Sequence, residues 1–168
     1  HERIPAHDHN PTAAAYVYLN DGGPVVFNHL DKEYGAVTRA ATKAGSFRIY
    51  FGIQELHEVV NTSPLPSEFL RVEFKTEPKN EMSLKGRFFR EANPEGQNVE
   101  KVHFDNEQVR ITRLIAVAGK PLTVATKAGE PALLVALADL DLIALRAEGA
   151  RFPLKIALGH TEWAGADE

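Results

Sequence analysis

The sequence predicts an all-β protein. Short segments rich in β-branched and aromatic residues recur along the chain, and several alternate charged and apolar side chains. VRITRLI (109–115) shows this alternation, which is typical of a strand with one buried face. Turns rich in glycine and proline, at 21–24 and 119–121 for example, separate the segments. No segment keeps a helical period for more than about three turns, so a β-sandwich or barrel is the leading fold class.

Ten segments are predicted as strands, in two sets of five. The first set consists of AAYVYL (14–19), PVVF (24–27), SFRIYFG (46–52), HEVVNT (57–62) and EFLRVEFK (68–75). The second consists of EQVRITRLIAV (107–117), PLTVAT (121–126), PALLVAL (131–137), LDLIAL (140–145) and FPLKIAL (152–158). The charged stretch 77–100 is predicted as a linker with room for one short helix. It divides the chain into a first unit, 1–76, and a second unit, 101–168.

Composition excludes several classes of function. The 168 residues are 43% hydrophobic and 25% charged, as in an ordinary globular domain. With 19 basic against 23 acidic residues and no basic cluster, nucleic acid is not expected as a partner. No apolar stretch is long enough to span a bilayer, so a membrane partner is not expected. Residue 1 is not expected to begin a signal peptide. The absence of cysteine excludes disulfides, thiolate metal sites and cysteine nucleophiles, and leaves the compartment open.

Weak internal similarity indicates that the two strand sets are copies of one β unit. IPAHDH aligns with KPLTVA, AYVYLND with ALLVALA, and KAGSFRIY with ALGHTEWA, in the same order along the chain. The identical pentapeptides ATKAG at 41–45 and 125–129 have flanks that do not match at their offset, so they are not part of this register.

Two histidines, His7 and His9, lie on either side of Asp8 just ahead of the first apolar segment. Side chains alternate along a strand, so both imidazoles point to one face and Asp8 to the other. Such a pair is either half of a metal site or two polar residues on a solvated face. Asp8 is expected to be solvated, and the alternative is that it orients one of the metal ligands.

These residues and a second group farther along resemble the two motifs of the cupins, which are small β-barrels. The first motif runs roughly G-x5-H-x-H-x3-4-E-x6-G, and HDH (7–9) followed by YVYLNDGG matches its histidines and its glycine turn. The second runs G-x5-P-x-G-x2-H-x3-N, and Gly45, His57 and Asn61 keep its order and the H-x3-N spacing. VHFDNEQVRITRLIAVAGKPL (102–122) resembles the opening strands of a second cupin unit. The resemblance covers nearly the whole chain.

The chain also departs from these motifs. The glutamate of the first motif would fall at Ala13 or Ala14, and Phe51 replaces the proline of the second. In the second unit the H-x-H positions align with Thr123 and Ala125, so that unit is predicted to lack a metal site. The first unit lacks its opening strands and the second its last ones. We expect either a trimmed chain or barrels completed by strand exchange, and therefore a homodimer.

The resemblance implies a double-stranded β-helix, or jelly-roll barrel, in two tandem units. It also implies a divalent transition metal (Zn, Fe, Ni, Mn or Cu) held by His7, His9 and His57. Gln54 is a candidate for an additional ligand or for a residue that supports the ligands, and Glu55 is a second candidate. Two functions stay open. One is a metal-dependent enzyme, of oxygenase or isomerase type, acting on a small organic molecule. The other is a non-catalytic protein that binds a small ligand or serves as a scaffold.

The other polar candidates are predicted to have no part in the chemistry. His29 follows a turn and is expected in an exposed loop, whereas His103 and His160 are expected to be structural. Asn61 is expected to hold backbone groups in place at the end of a strand.

Overall fold

The structure, a computed structural model, describes residues 2–50, 52–76, 95–123, 130–145 and 149–164, and the backbone of 86–88. Within these residues the chain forms antiparallel strands and no helix, so the predicted all-β class is confirmed. None of the described segments is therefore a helix that could cross a membrane. Residues 77–85 and 89–94 of the predicted linker, 77–100, lie outside the described residues, and its described residues contain no helix. The chain divides into two compact units, His1–Pro121 and Leu122–Glu168.

The first unit contains two four-stranded sheets and a hairpin. One sheet has the order β1 (Arg3–Asp8), β6 (Leu56–Asn61), β3 (Val25–His29), β4 (Ala36–Arg39). The other has the order β7 (Phe69–Glu73), β2 (Ala14–Tyr18), β5 (Phe47–Tyr50), β8 (Gly86–Phe88). The hairpin consists of β9 (Val99–Asp105) and β10 (Arg110–Ile115).

The first six strands pair as a nested set. β1 pairs with β6, β2 with β5, and β3 with β4, all antiparallel. A further pairing, between β3 and β6, joins the outermost and innermost pairs in one sheet. β7 continues the second sheet by pairing with β2. This pattern brings the first strand of the unit beside its sixth, which is the step that assembles the candidate site.

The core of the first unit lies on one face of the second sheet. Alternate residues of β2 and β5, with the residue before β2, form its buried cluster: Ala13, Ala15, Phe47 and Ile49. Phe104 and Ile111, from the β9–β10 hairpin, pack against this cluster. The hairpin therefore groups with the first compact unit, although the sequence assigned residues from 101 onward to the second.

The second unit contains two antiparallel strand pairs. β11 (Ala132–Val135) pairs with β14 (Thr161–Ala164), and β12 (Leu140–Leu145) pairs with β13 (Arg151–Ile156). Three of the predicted segments, 131–137, 140–145 and 152–158, each overlap one of these strands. β14 was not among the predicted strands, and residues 124–126 of the segment 121–126 lie outside the described residues.

Candidate metal centre

Three histidines form a row across adjacent strands of the first sheet. His57, on β6, lies directly opposite His7 on β1 and directly opposite His29 on β3. Directly opposed residues of neighbouring strands point to the same face of a sheet. The ring centroids of His7 and His29 accordingly lie 4.8 Å and 5.5 Å from that of His57.

A β-bulge in β1 places His7 on this face. The pairing register with β6 shifts by one residue between Ile4 and His7. Without that shift, Ile4 and His7 would point to opposite faces of the sheet, because they are three positions apart. In the structure both residues line the same cavity. His9 lies two residues farther on and faces the same way, with its ring centroid 4.9 Å from that of His7 and 5.3 Å from that of His57.

The three histidines predicted from the sequence are thus brought together. One ring nitrogen from each of His7, His9 and His57 lies within 4.8 Å of the others. An ion with bonds of about 2.0–2.2 Å holds its ligand atoms at most about 4.4 Å apart, so small side-chain movements suffice to close the site. Among the described residues, both groups of side chains able to hold an ion lie in the first unit.

Hydrogen bonding prepares His7 to act as a ligand. Its Nδ1 lies 2.8 Å from the carbonyl oxygen of Pro5. A carbonyl only accepts, so Nδ1 carries the proton and donates it, and Nε2 keeps a free lone pair. Metal-binding histidines usually donate their second ring N–H to such a partner, which holds the ring in place.

His57 is buried, and one of its ring nitrogens is unsatisfied. Its side chain is 6% exposed, and Nδ1 has no hydrogen-bond partner among the described residues. Burial of the ring, followed by the neighbouring imidazoles of His7 and His9, lowers the pKa of His57 to about 4. The ring therefore stays neutral, the form that binds metal, well below pH 6.5. The neutral ring lies beside the imidazoles of His7 and His9, and nitrogen donors of this kind suit a transition metal.

His29 is not an exposed loop residue, so that prediction was wrong. It ends β3 with its side chain 3% exposed. Its Nδ1 donates to the carbonyl oxygen of Gly35 at 3.0 Å, which leaves Nε2 free. That nitrogen lies 3.5 Å from Oε2 of Glu55, and Nδ1 of His57 lies 3.7 Å from the same oxygen. His29, Glu55 and His57 therefore form a second group that could hold a metal ion.

Glu55 is held in place by two tyrosines. Its Oε1 accepts hydrogen bonds from the hydroxyls of Tyr50 at 3.0 Å and Tyr34 at 3.3 Å, so Oε2 is turned toward the histidines. Burial and the adjacent Glu55 carboxylate raise the pKa of Tyr50, so it stays a donor. Gln54, the sequence candidate, is exposed and does not line the cavity, whereas Glu55 does.

The carboxylate beside the histidines comes from Glu55, because residues 13 and 14 are both alanine. Ala14 is fully buried and lies directly opposite Tyr50 across the β2–β5 pair. Tyr50 in turn donates to Glu55. An acidic side chain therefore reaches the histidines from the segment before β6 rather than from β2.

His9 differs from the other histidines in its partner. Its Nδ1 lies 3.0 Å from Nη1 of Arg71 on β7. An arginine can only donate, so this ring nitrogen accepts the hydrogen bond. Burial, followed by the charge of Arg71, lowers the pKa of His9.

A cavity of about 230 Å³ opens beside the histidines and is lined by residues of both four-stranded sheets. His7, His9, Glu55 and His57 lie on its wall. Aromatic and aliphatic residues form more than half of the remaining wall: Ile4, Tyr16, Tyr18, Val25, Phe27, Ala40, Tyr50, Ile53, Val59 and Phe69. Three arginines, Arg39, Arg48 and Arg71, also line it. An ion at the predicted three-histidine set would therefore face a space suited to a small organic molecule.

The remaining sequence candidates lie away from the cluster or have structural roles. His103, on β9, has its ring centroid 6.1 Å from that of Phe47 in the core, and His160 is exposed in a turn. Asn61 donates from Nδ2 to the carbonyl oxygen of Leu65 and accepts from the backbone N–H of Ser63. Its predicted role in holding backbone groups is confirmed.

No protein-family model, curated protein or solved structure matches this chain.

Proposed function

We propose that this chain is a metal-binding protein in which His7, His9 and His57 hold one divalent transition metal ion beside the cavity. The observation that carries the proposal is the convergence of three imidazoles on a cavity wall. Imidazole suits zinc, copper, iron and nickel, and the absence of cysteine leaves nitrogen and oxygen donors to do the binding.

The nested strand pairing supports a cupin-type architecture. In a double-stranded β-helix a long antiparallel hairpin is wound so that its outermost and innermost strand pairs share one sheet. The pairs β1–β6, β2–β5 and β3–β4, with β3 beside β6, follow this scheme. The metal ligands of our proposal lie on β1, or directly after it, and on β6, the two outermost strands of the hairpin.

Glu55 and His29 complete the site in this proposal. Oε2 of Glu55 lies 3.7 Å from Nδ1 of His57. In this proposal Oε2 accepts a hydrogen bond from that Nδ1, which leaves Nε2 of His57 for the ion. His29 does not line the cavity, so we assign its ring to packing against His57 rather than to the ion. When bound, a divalent ion supplies Lewis acidity and coordination positions open to a small molecule. We propose a metal-dependent enzyme of oxygenase or isomerase type acting on such a molecule.

A specific contact favours a second candidate function, a non-catalytic ligand-binding protein. Arg71 occupies one nitrogen of His9, and the cavity wall is mainly apolar. The two candidates differ in whether a bound ion keeps a position open to small ligands. In the Co²⁺-loaded protein, a visible spectrum that azide changes favours the enzyme, and a spectrum that azide leaves unchanged favours the binding protein.

The proposal is tested by the Zn²⁺ content and affinity of untagged protein that has been stripped with chelator. We expect one ion per chain in the wild type, and loss of tight binding in both H57A and H9A. Two matched histidine replacements serve as controls. H160A changes an exposed turn residue and should bind like the wild type, and H29A should cost less than about 100-fold because His29 supports the ligands only indirectly.

Three outcomes would contradict the proposal. The wild type could fail to bind Zn²⁺, or H9A could bind as tightly as the wild type. Alternatively, H29A could abolish binding while H9A does not, which would transfer the ion to the group of His29, Glu55 and His57. Far-UV circular dichroism of each variant checks that the β-structure is retained.

A further inference from the structure

A second row of side chains runs across the opposite wall of the cavity. Tyr16, on β2, lies directly opposite Arg48 on β5 and directly opposite Arg71 on β7. Each guanidinium carbon lies 5.8 Å from the centroid of the Tyr16 ring. Arg39 approaches from the other sheet, 4.4 Å from the centroid of Phe27. Three guanidinium groups thus lie against aromatic rings around one small space.

Arginines outnumber carboxylates by three to two among the described residues that line the cavity. Among the described residues that line the cavity, the carboxylates are Glu2 and Glu55, and the tyrosine hydroxyls already occupy Oε1 of Glu55. Arg71 pairs with Glu73 at 2.7 Å, but its buried Nε has no hydrogen-bond partner among the described residues. Guanidinium groups bind carboxylates with paired N–H donors, and the apolar wall would bury a hydrocarbon body.

The contact between Arg71 and His9 conflicts with metal binding by His9. A neutral imidazole has one nitrogen with a free lone pair and one that carries a proton. While Nδ1 accepts from Arg71, Nε2 holds the proton and cannot bind an ion. An ion at Nδ1 would take the lone pair itself, and an ion at Nε2 would move the proton to Nδ1, facing the donor. Either way, metal binding by His9 requires Arg71 to leave.

We propose that the cavity binds a small apolar carboxylate through Arg71 and Arg48, and that this ligand draws Arg71 off His9 and so promotes metal binding. The coupling rests on the metal site proposed above, whereas the ligand class does not. Linkage requires reciprocity, so the carboxylate must tighten metal binding by the same factor by which the metal tightens carboxylate binding. Typical couplings correspond to about 5–150-fold, and we expect at least about fivefold.

The test consists of two calorimetric titrations of untagged protein. Phenylacetate is titrated in the presence and absence of Zn²⁺, and Zn²⁺ is titrated in the presence and absence of phenylacetate. Phenylacetamide, a neutral analogue, and inorganic phosphate, an anion without an apolar body, are the comparison ligands. We expect phenylacetate to bind metal-free protein more tightly than either, and Zn²⁺ to increase its affinity at least about fivefold.

Three arginine variants separate the contact with His9 from simple removal of charge. R71M should weaken phenylacetate binding, abolish the coupling and tighten Zn²⁺ binding. R48M removes the same charge from the cavity but no contact to His9, so R71M must tighten Zn²⁺ binding more than R48M does. R110M, on β10, loses an exposed pair with Asp105 away from the cavity, and should retain the coupling.

The outcomes distinguish this inference from the metal site itself. Failure of the wild type to bind Zn²⁺ would overturn the metal site and the coupling, whereas phenylacetate binding to metal-free protein would still support the ligand class. Zn²⁺ binding that phenylacetate leaves unchanged, or an R71M variant that binds Zn²⁺ no more tightly than R48M, would overturn the coupling alone. Phosphate or phenylacetamide binding as tightly as phenylacetate would overturn the ligand class.

Discussion

Burial of His57 should make the stability of the metal-free first unit depend on pH. In the folded chain burial and the nearby rings of His7 and His9 lower the pKa of His57 from 6.5 to about 4. Between these values the unfolded chain takes up a proton at His57 that the folded chain does not. The contribution to stability is therefore fully present above about pH 6.5 and is lost as pH falls toward 4. At 1.36 kcal/mol per unit, this loss amounts to about 3 kcal/mol.

Urea unfolding of chelator-treated protein between pH 7 and pH 4 measures this loss. The four tyrosines, Tyr16, Tyr18, Tyr34 and Tyr50, all lie in the first unit, so near-ultraviolet circular dichroism of tyrosine reports its unfolding. Trp163 belongs to the second unit, and its fluorescence serves as an internal control. H57N should lose about 3 kcal/mol less than the wild type over this range, and H160N should follow the wild type. Equal losses in wild type and H57N would refute the reasoning.

Other predictions concern the core, one turn and assembly. I49A should lower the free energy of unfolding of the first unit by about 2–5 kcal/mol in urea, because Ile49 is only 1% exposed. V102A changes a 48% exposed side chain and should lower it by less than about 1 kcal/mol. G52A should cost more than G35A: both glycines have positive φ, but only at Gly52 would a Cβ lie 2.5 Å from a carbonyl oxygen, that of Thr12. Equal losses in the two variants would contradict this steric explanation. Sedimentation should show a homodimer of the 18.5 kDa chain at micromolar concentration, and a monomer throughout would contradict it.

Local patterns predicted most of the strands and the shared face of two candidate ligands. Alternation places His7 and His9 on one face without any knowledge of the partner strand. The same rule places His29 on the face of Val25 and Phe27, so its position could have been found. It was missed because the predicted strand ended at residue 27, two residues before the observed end of β3.

Contacts between strands could not be predicted in this way. The position of His57 beside His7 depends on the β1–β6 register, and residue spacing along one strand carries no information on it. Only the family resemblance predicted that proximity. The bulge in β1 and the approach of Arg71 to His9 across 62 residues also depend on how distant segments pair. The charge of Arg71 was visible in the sequence, but its target was not.

Diffraction at the zinc absorption edge, from crystals of untagged protein grown with Zn²⁺, tests the central claim most directly. We predict one anomalous peak about 2.0–2.2 Å from a ring nitrogen of each of His7, His9 and His57, with Arg71 no longer hydrogen-bonded to His9. A peak enclosed by His29, Glu55 and His57, or no peak at the histidine cluster, would contradict the proposed centre.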